Sequence, residues 1–209
     1  MPHCLNTEYF ELNTHPMQRL CVYCGSSSGT NPAYAAAASE LGQLLASSEI
    51  ELIYGGGRVG LMGILADAVL AAGGQVQGVI PQSLADREVA HHGLTQLYIV
   101  DTMHQRKALM AELADGFLAL PGGIGTFEEL FEIWTWAQLG MHSKPIGLLN
   151  VAGYFDLLLG FLDHATEQQL LKPVHRNVLS VADNPPEIMR LLQQASPVST
   201  PKWINASQT

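Results

Sequence analysis

Six short β-rich runs alternate with helical stretches in this chain, and three of the runs lead directly into glycine turns. Together these predict an α/β fold: a single domain on a Rossmann-like, doubly wound parallel sheet. Strands that alternate with helices pair in parallel and need crossover helices on both faces. A third observation sets the size. The 209 residues, 47% of them hydrophobic, suffice for one sizeable core and fall short of two full domains.

Taken in order, residues 1–19 are polar and irregular and read as a flexible extension. Residues 20–195 read as the domain. Within it, strands are expected at 20–24, 51–54, 75–80, 97–100, 116–120 and 146–149, and helices near 32–46, 61–72, 103–114, 127–139 and 154–167. The alanines 35–38 are ordinary helix, and Asp101 or Thr102 caps the helix that follows the fourth strand. In the stretch 127–139, Phe127, Leu130, Phe131 and Trp134 mark the buried face. A small helix near 186–194 closes the fold. Residues 196–209, with Pro197, Pro201 and a lone Trp203, read as a tail that docks on the domain.

Ten Lys and Arg against 19 Asp and Glu give a net charge of -9. That excludes wrapping a nucleic-acid backbone by bulk electrostatics, while leaving room for a small anion held by local basic groups. No apolar run approaches the roughly 18 residues of a membrane span, and the N-terminal residues lack the basic-then-apolar order of a signal peptide. The expected compartment is the cytoplasm, with no membrane partner. Three cysteines make no disulfide framework. Cys21 and Cys24, three apart in a strand, point to opposite faces and read as buried structural residues, not a metal half-site. Among the histidines, His91, His92, His104, His142 and His164 lack metal-ligand spacing, so neither metal nor cofactor is expected.

The chemistry gathers in the loops that follow strands, which in an open parallel sheet face the ligand crevice. Gly25-Ser26-Ser27-Ser28-Gly29 follows the first strand. Gly55-Gly56-Gly57-Arg58-Val59-Gly60-Leu61-Met62-Gly63 follows the second. Pro121-Gly122-Gly123-Ile124-Gly125-Thr126-Phe127-Glu128-Glu129 follows the run 117–120 and opens a helix. Glycines allow close backbone approach, and the free N–H groups of a new helix offer donors and a partial positive charge, so a phosphate fits there. Glu128 and Glu129, expected in the first helical turn, are candidates for chemistry beside it. Neither long loop ends in the Lys-Ser/Thr of a nucleotide-triphosphate loop, and the dinucleotide fingerprint with its acid about 20 residues on is not met.

Two further groups lie at the same end. Arg106 and Lys107 stand early in the helix after the fourth strand, about 100° apart around it, Arg106 with a planar fork for phosphate or ribose oxygens. Asp86-Arg87-Glu88 follows Pro81 in a loop placed to fold over the crevice.

Together, Gly55-Gly56-Gly57-x-x-Gly60-Leu61-Met62-Gly63, Met103-x-x-Arg106-Lys107 and Pro121-Gly122-Gly123-x-Gly125-Thr126-x-x-Glu129 resemble the LOG ("lonely guy") family, with Thr135-Trp136-Ala137-Gln138-Leu139-Gly140 in support. The resemblance spans about residues 20–192. These proteins, long labelled lysine decarboxylases, are cytokinin riboside 5'-monophosphate phosphoribohydrolases. No lysine here lies in a recognisable pyridoxal phosphate site. The resemblance implies hydrolysis of the N-glycosidic bond of an adenosine 5'-monophosphate, often N6-isoprenylated, to free base and ribose 5-phosphate, by a homodimer. It implies Arg106 and Glu129 as the catalytic pair. Its substrate-binding positions fall at Glu88, Arg106, Lys107, Gly123, Ile124, Gly125, Thr126, Phe127, Glu128, Glu129 and Thr135, to which the glycine loops add Gly56, Gly57 and Gly122. Arg58 occupies a variable position within the glycine motif, and the extension at residues 1–19 has no counterpart in the family pattern.

Glycosidic cleavage builds oxocarbenium character on the ribose, and a carboxylate near the anomeric carbon stabilises that charge and accepts a proton from water. Helix geometry does not choose between Glu128 and Glu129; the resemblance selects Glu129. Arg106 is expected to hold phosphate or ribose hydroxyls and to keep that carboxylate ionised. Two other readings fit the same loops: a broader nucleoside-monophosphate nucleosidase, and a non-catalytic nucleotide or pterin-cofactor carrier, which has no evident need for Glu129.

Overall fold

A computed structural model of the chain describes residues 17–86 and 90–195. Seven parallel strands form one sheet in the order β4-β3-β2-β1-β5-β6-β7. They are β1 (Arg19–Tyr23), β2 (Glu51–Tyr54), β3 (Val76–Pro81), β4 (Gln96–Val100), β5 (Gly116–Ala119), β6 (Ile146–Leu149) and β7 (Leu179–Ala182). The long helices are α1 (Pro32–Ser47), α2 (Gly60–Ala71), α4 (Met103–Leu113), α5 (Ile124–Gln138), α6 (Asp156–Glu167) and α8 (Pro185–Gln194), with four-residue helices α3 (Gln82–Ala85) and α7 (Pro173–Arg176) between them. The chain winds outward from β1 to β4, then returns to pair β5 on the other side of β1. Ligands bind outside the strand ends at such a reversal.

The double winding appears in the two cores. Leu20, Val22, Leu52, Tyr54 and Leu118 pack against Leu41 and Leu45 of α1, Leu65 and Val69 of α2, and Ile188 of α8. Alternate strand residues Cys21, Tyr23, Ile53, Phe117 and Ile146 pack against Met110 of α4, Leu130, Ile133 and Trp134 of α5, and Leu162 of α6. A period of two sends neighbouring residues to opposite faces, which explains the near-continuous apolar strands. Cys21 and Cys24 fall in opposite cores as the spacing predicts, both buried with free thiols.

Several boundaries differ from the sequence reading. The first strand includes Arg19, assigned above to the extension, because Asp115 accepts hydrogen bonds from the backbone N–H groups of Gln18 and Arg19 at 3.0 and 2.9 Å. The seventh strand was not foreseen: it is four residues long, half exposed, and carries a serine. Helix α5 begins at Ile124 instead of Phe127, so neither glutamate lies in its first turn. Residues 1–16 and 196–209, and with them the docking tail, lie outside the described residues. Among the described residues, no helix is long and apolar enough to cross a membrane.

Candidate active site

The three glycine loops meet at the carboxyl ends of the central strands. Gly25 N–H donates to the Pro121 carbonyl at 3.1 Å, and Leu61 N–H donates to the Gly25 carbonyl at 3.0 Å. Several glycines are there because nothing larger fits. At Gly60, whose φ is +61°, a Cβ would stand 2.3 Å from the Ser26 backbone, and at Gly63 it would stand 2.1 Å from the Arg58 carbonyl oxygen. Gly56 and Gly57 meet the segment before β4: His91 N–H donates to the Gly56 carbonyl at 2.9 Å, and Gly57 forms an isolated antiparallel bridge with Ala90.

The third loop differs in kind. A Cβ at Gly122 would press on Thr126 Oγ1 at 2.1 Å, so that buried threonine locks the turn. A Cβ at Gly123 or Gly125 would meet nothing within 4 Å. Gly123 caps α5 without a side-chain hydrogen bond, and Ile124 beside it is 87% exposed. The first N–H groups of α5 thus open onto accessible space, where a helix terminus attracts an anion. Tyr154, which sequence reasoning did not single out, braces this turn by donating its hydroxyl to the Gly122 carbonyl.

Behind the open turn lies a buried ion pair. Arg106 and Glu129 are each only 9% exposed. Arg106 Nη1 donates to Glu129 Oε1 at 3.0 Å, Nε donates to the Val79 carbonyl at 3.1 Å, and Nη2 reaches the Gly55 carbonyl at 3.4 Å. The guanidinium therefore ties α4 to α5, to β3 and to the residue that follows β2. Gly55, absent from the sequence-stated site, is essential to this arrangement, since a Cβ there would fall 1.8 Å from Nη2. Thr102 forms a capping box with Gln105 and fixes the start of α4, deciding between the two proposed caps. Among α4 residues only Arg106 and Met110, one turn apart, are buried, so the two side chains share the inward face of the helix.

Geometry also separates the two glutamates. The buried positions of α5 are Thr126, Glu129, Leu130, Ile133 and Trp134, whereas Phe131, expected inside, is 37% exposed. Glu128 points outward. Burial pushes the Glu129 carboxyl above the ordinary carboxylate range, with Arg106 pulling it down and Glu128 pushing it up. The expectation that Arg106 keeps Glu129 ionised thus holds in direction of effect, but desolvation outweighs it. Lys107, about 100° from Arg106, meets Glu128 and Glu132 instead.

One expected site residue, Thr135, stands apart from the ion pair within its own chain. Thr135 is about 9 Å along the helix from Glu129 at 1.5 Å per residue, is exposed, and donates its hydroxyl to the Phe131 carbonyl at 2.6 Å. Glu88 and Arg87 lie outside the described residues; Asp86 accepts from Gln82 at 2.6 Å on α3. His91 pairs with Asp67 at 2.9 Å, and His142 Nε2 lies 2.8 Å from the Ile133 carbonyl. Among the described residues, no three His, Cys, Asp or Glu side chains are grouped to hold a metal.

Comparison with known proteins places this geometry. Residues 62–192 match the family model described as "Possible lysine decarboxylase". Two proteins of Arabidopsis thaliana named cytokinin riboside 5'-monophosphate phosphoribohydrolase are similar throughout: LOG2 is 47% identical over 91% of this chain and 92% of its own, and LOG7 is 50% identical over 86% and 83%. The probable enzyme of that name from Oryza sativa subsp. japonica, LOGL2, is 48% identical over 89% of this chain and 78% of its own. Among solved structures, the molybdenum cofactor binding protein of Rippkaea orientalis is similar with a TM-score of 0.64 at 22% identity, covering 84% of this chain and 94% of its own. The protein TM1055 gives 0.65 at 24%, covering 86% and 100%. At such identities the structural likeness is one of fold. The family match and the extent of the sequence similarity leave one assignment: the chain belongs to the LOG family.

Proposed function

We propose that this protein hydrolyses the N-glycosidic bond of N6-modified adenosine 5'-monophosphates, the cytokinin riboside monophosphates, to free base and ribose 5-phosphate. The observation that carries this reading is a buried carboxylate, Glu129, held by Arg106 beside an open glycine helix start. Close relatives named for this activity support it. The N–H groups at the start of α5 take the 5'-phosphate, which fixes the ribose over the strand ends. As the C1'–N9 bond breaks, its electron pair leaves with the purine, which takes up a proton. Positive charge grows on the ribose ring, where ionised Glu129 stabilises it. Glu129 then accepts a proton from the water whose oxygen bonds C1'. Arg106, with three of its five N–H donors given to Glu129 and two backbone carbonyls, orients the carboxylate and braces the pocket wall; it is a positioning group in this scheme.

A homodimer completes the proposal. Ile124 and Phe131 of α5 and Leu139 just beyond its end form an exposed apolar stripe, and Glu128 and Thr135 lie on the same face. Such a stripe favours an interface, and across it Thr135 of one protomer would approach the partner's nucleotide. The direct test incubates the protein with isopentenyladenosine monophosphate, AMP and adenosine and identifies the products. Base and ribose 5-phosphate from the monophosphates, with little release from adenosine, is the expected result. Equal rates with adenosine would remove the phosphate role of α5, and binding without release would favour a carrier. Light scattering and activity along one dilution series check the dimer, since a fully active monomer would refute a shared site.

A further inference from the structure

At the start of α5 the hydrogen bonds divide unevenly. The helical ladder begins with Phe127 N–H donating to the Gly123 carbonyl at 3.1 Å, while the N–H groups of Gly123, Ile124, Gly125 and Thr126 find no acceptor among the described residues. The carbonyl just before them, that of Gly122, accepts from the Tyr154 hydroxyl. A tyrosine hydroxyl has a single donor, and here the protein already engages it. Tyr34 and Phe155 hold the Tyr154 ring edge-on, with centroids 5.5 and 5.0 Å away, and Phe155 meets Phe127 of α5 in the same way at 6.3 Å. The chain leading to Tyr154 is over-determined. The Asn150 side chain donates to Asp156 at 2.7 Å and accepts from Phe155 N–H at 2.7 Å, and between them Ala152 stands at φ +52°, a conformation that a non-glycine residue keeps only under constraint.

A trans peptide is planar, with its C=O and N–H pointing in opposite directions. Whatever fixes the Gly122 carbonyl therefore aims the Gly123 N–H. Between two glycines this plane turns over easily. The flip takes Gly123 from φ -97° to a positive φ that glycine adopts freely, and it would put a carbonyl oxygen where the phosphate is to bind. Neither residue can carry a side chain that prevents it: a Cβ at Gly122 would strike Thr126, and one at Gly123 would meet nothing within 4 Å. The restraint has to come from outside the turn. Resting on the function proposed above, we infer that Tyr154 is a positioning residue for the phosphate: its hydroxyl holds the Gly122–Gly123 peptide with the carbonyl turned away and the Gly123 N–H presented beside those of Ile124 and Gly125. The hydroxyl acts through the peptide, not by donating to the ligand.

Calorimetric binding of ribose 5-phosphate, together with the kinetics of base release from AMP and adenosine, tests the inference. Tyr154→Phe deletes the hydroxyl and keeps the ring against Tyr34 and Phe155. It should weaken ribose 5-phosphate binding and raise KM for AMP about tenfold, the scale of one hydrogen bond to a charged ligand, and lower the kcat/KM ratio of AMP over adenosine by the same factor. In a Gly123→Ala background the same substitution should cost less than about threefold, because alanine itself disfavours the positive φ of the flipped peptide. The Gly123 amide resonance of glycine-labelled protein, identified by its loss in Gly123→Ala, reads the orientation directly. Ribose 5-phosphate should shift it strongly downfield in the wild type and much less in Tyr154→Phe. Equal tenfold losses in both backgrounds would overturn the inference and make the hydroxyl a ligand of the phosphate. A lower unfolding midpoint with unchanged binding and an unchanged amide shift would also overturn it, leaving Tyr154 a brace of the fold. Should Tyr154→Phe not fold, the wild-type titration decides, since a Gly123 amide that ignores bound ribose 5-phosphate refutes the orientation. Ribose 5-phosphate binding without base release would refute the hydrolase reading alone, and the binding and amide measurements would still decide the role of Tyr154.

Discussion

Of the three glycine loops that border the crevice, the one after β2 and the one that opens α5 use glycine for opposite reasons. In the loop after β2, glycine answers crowding: side chains at Gly55, Gly60 and Gly63 would strike Arg106, the Ser26 backbone and the Arg58 backbone. At the start of α5, the N-cap Gly123 and Gly125 in the first turn border empty space. Glycine with no neighbour within reach, at a negative φ any residue can adopt, serves no packing purpose in the protein itself. The lesson is that a glycine run does not by itself declare a ligand; what its missing Cβ would touch separates a scaffold turn from a phosphate cradle.

Substitution with alanine breaks the comparison most sharply at the crowded loop. Gly60→Ala combines positive φ with a backbone clash and should cost about 3 kcal/mol or more, read as loss of the cooperative unfolding transition or a large fall in its midpoint. Gly55→Ala collides with the end of a side chain instead. The fold should survive with a loss of about 1–3 kcal/mol, while the displaced guanidinium releases Glu129 and kcat falls about a hundredfold; unchanged kcat would show that Arg106 does not orient the carboxylate. Gly123→Ala and Gly125→Ala should leave thermal stability within about 0.5 kcal/mol and raise KM for the monophosphate about tenfold, equivalent to about 1.4 kcal/mol. If they instead unfold the protein with nucleotide affinity intact, the open loop is structural after all.

A smaller effect concerns pH. Burial holds Glu129 above the ordinary carboxylate range, so kcat/KM should fall on the acid side at a pH higher than a solvated glutamate would give. Between the unfolded and the folded pKa the native state binds the additional proton. Stability from this group is therefore full below the ordinary glutamate value and declines as pH rises through the folded one. Glu129→Gln should flatten that slope in chemical denaturation at a series of pH values; an unaltered slope would place the titrating group elsewhere.

The sequence revealed the sheet, its winding and the ligand end, because continuous apolar runs followed by glycine are signals local to a few residues. It concealed whatever depends on contacts between distant segments. The half-exposed edge strand at Leu179–Ala182 lacks a continuous apolar run. The start of α5 was hidden by Gly123 and Gly125, which read as loop until Thr126 locks the turn. Position alone singles out Arg106, while the choice of Glu129 over Glu128 rests on the family resemblance; the Glu129, Leu130, Ile133, Trp134 spacing places Glu129 on the inner face only once Phe131 is left out of that face. Gly55 could not be recognised as the seat of Arg106 without the distance between β2 and α4.

The central claim is that Glu129, and not its neighbour, carries the reaction. Base release from isopentenyladenosine monophosphate by the wild type, Glu129→Gln and Glu128→Gln, with folding of each checked by thermal unfolding, tests it most directly. The account predicts a loss of about 10²–10⁴-fold in kcat for Glu129→Gln with the fold retained, and a much smaller loss for Glu128→Gln. Near-wild-type turnover by a folded Glu129→Gln protein, or the reverse ranking of the two variants, would contradict it.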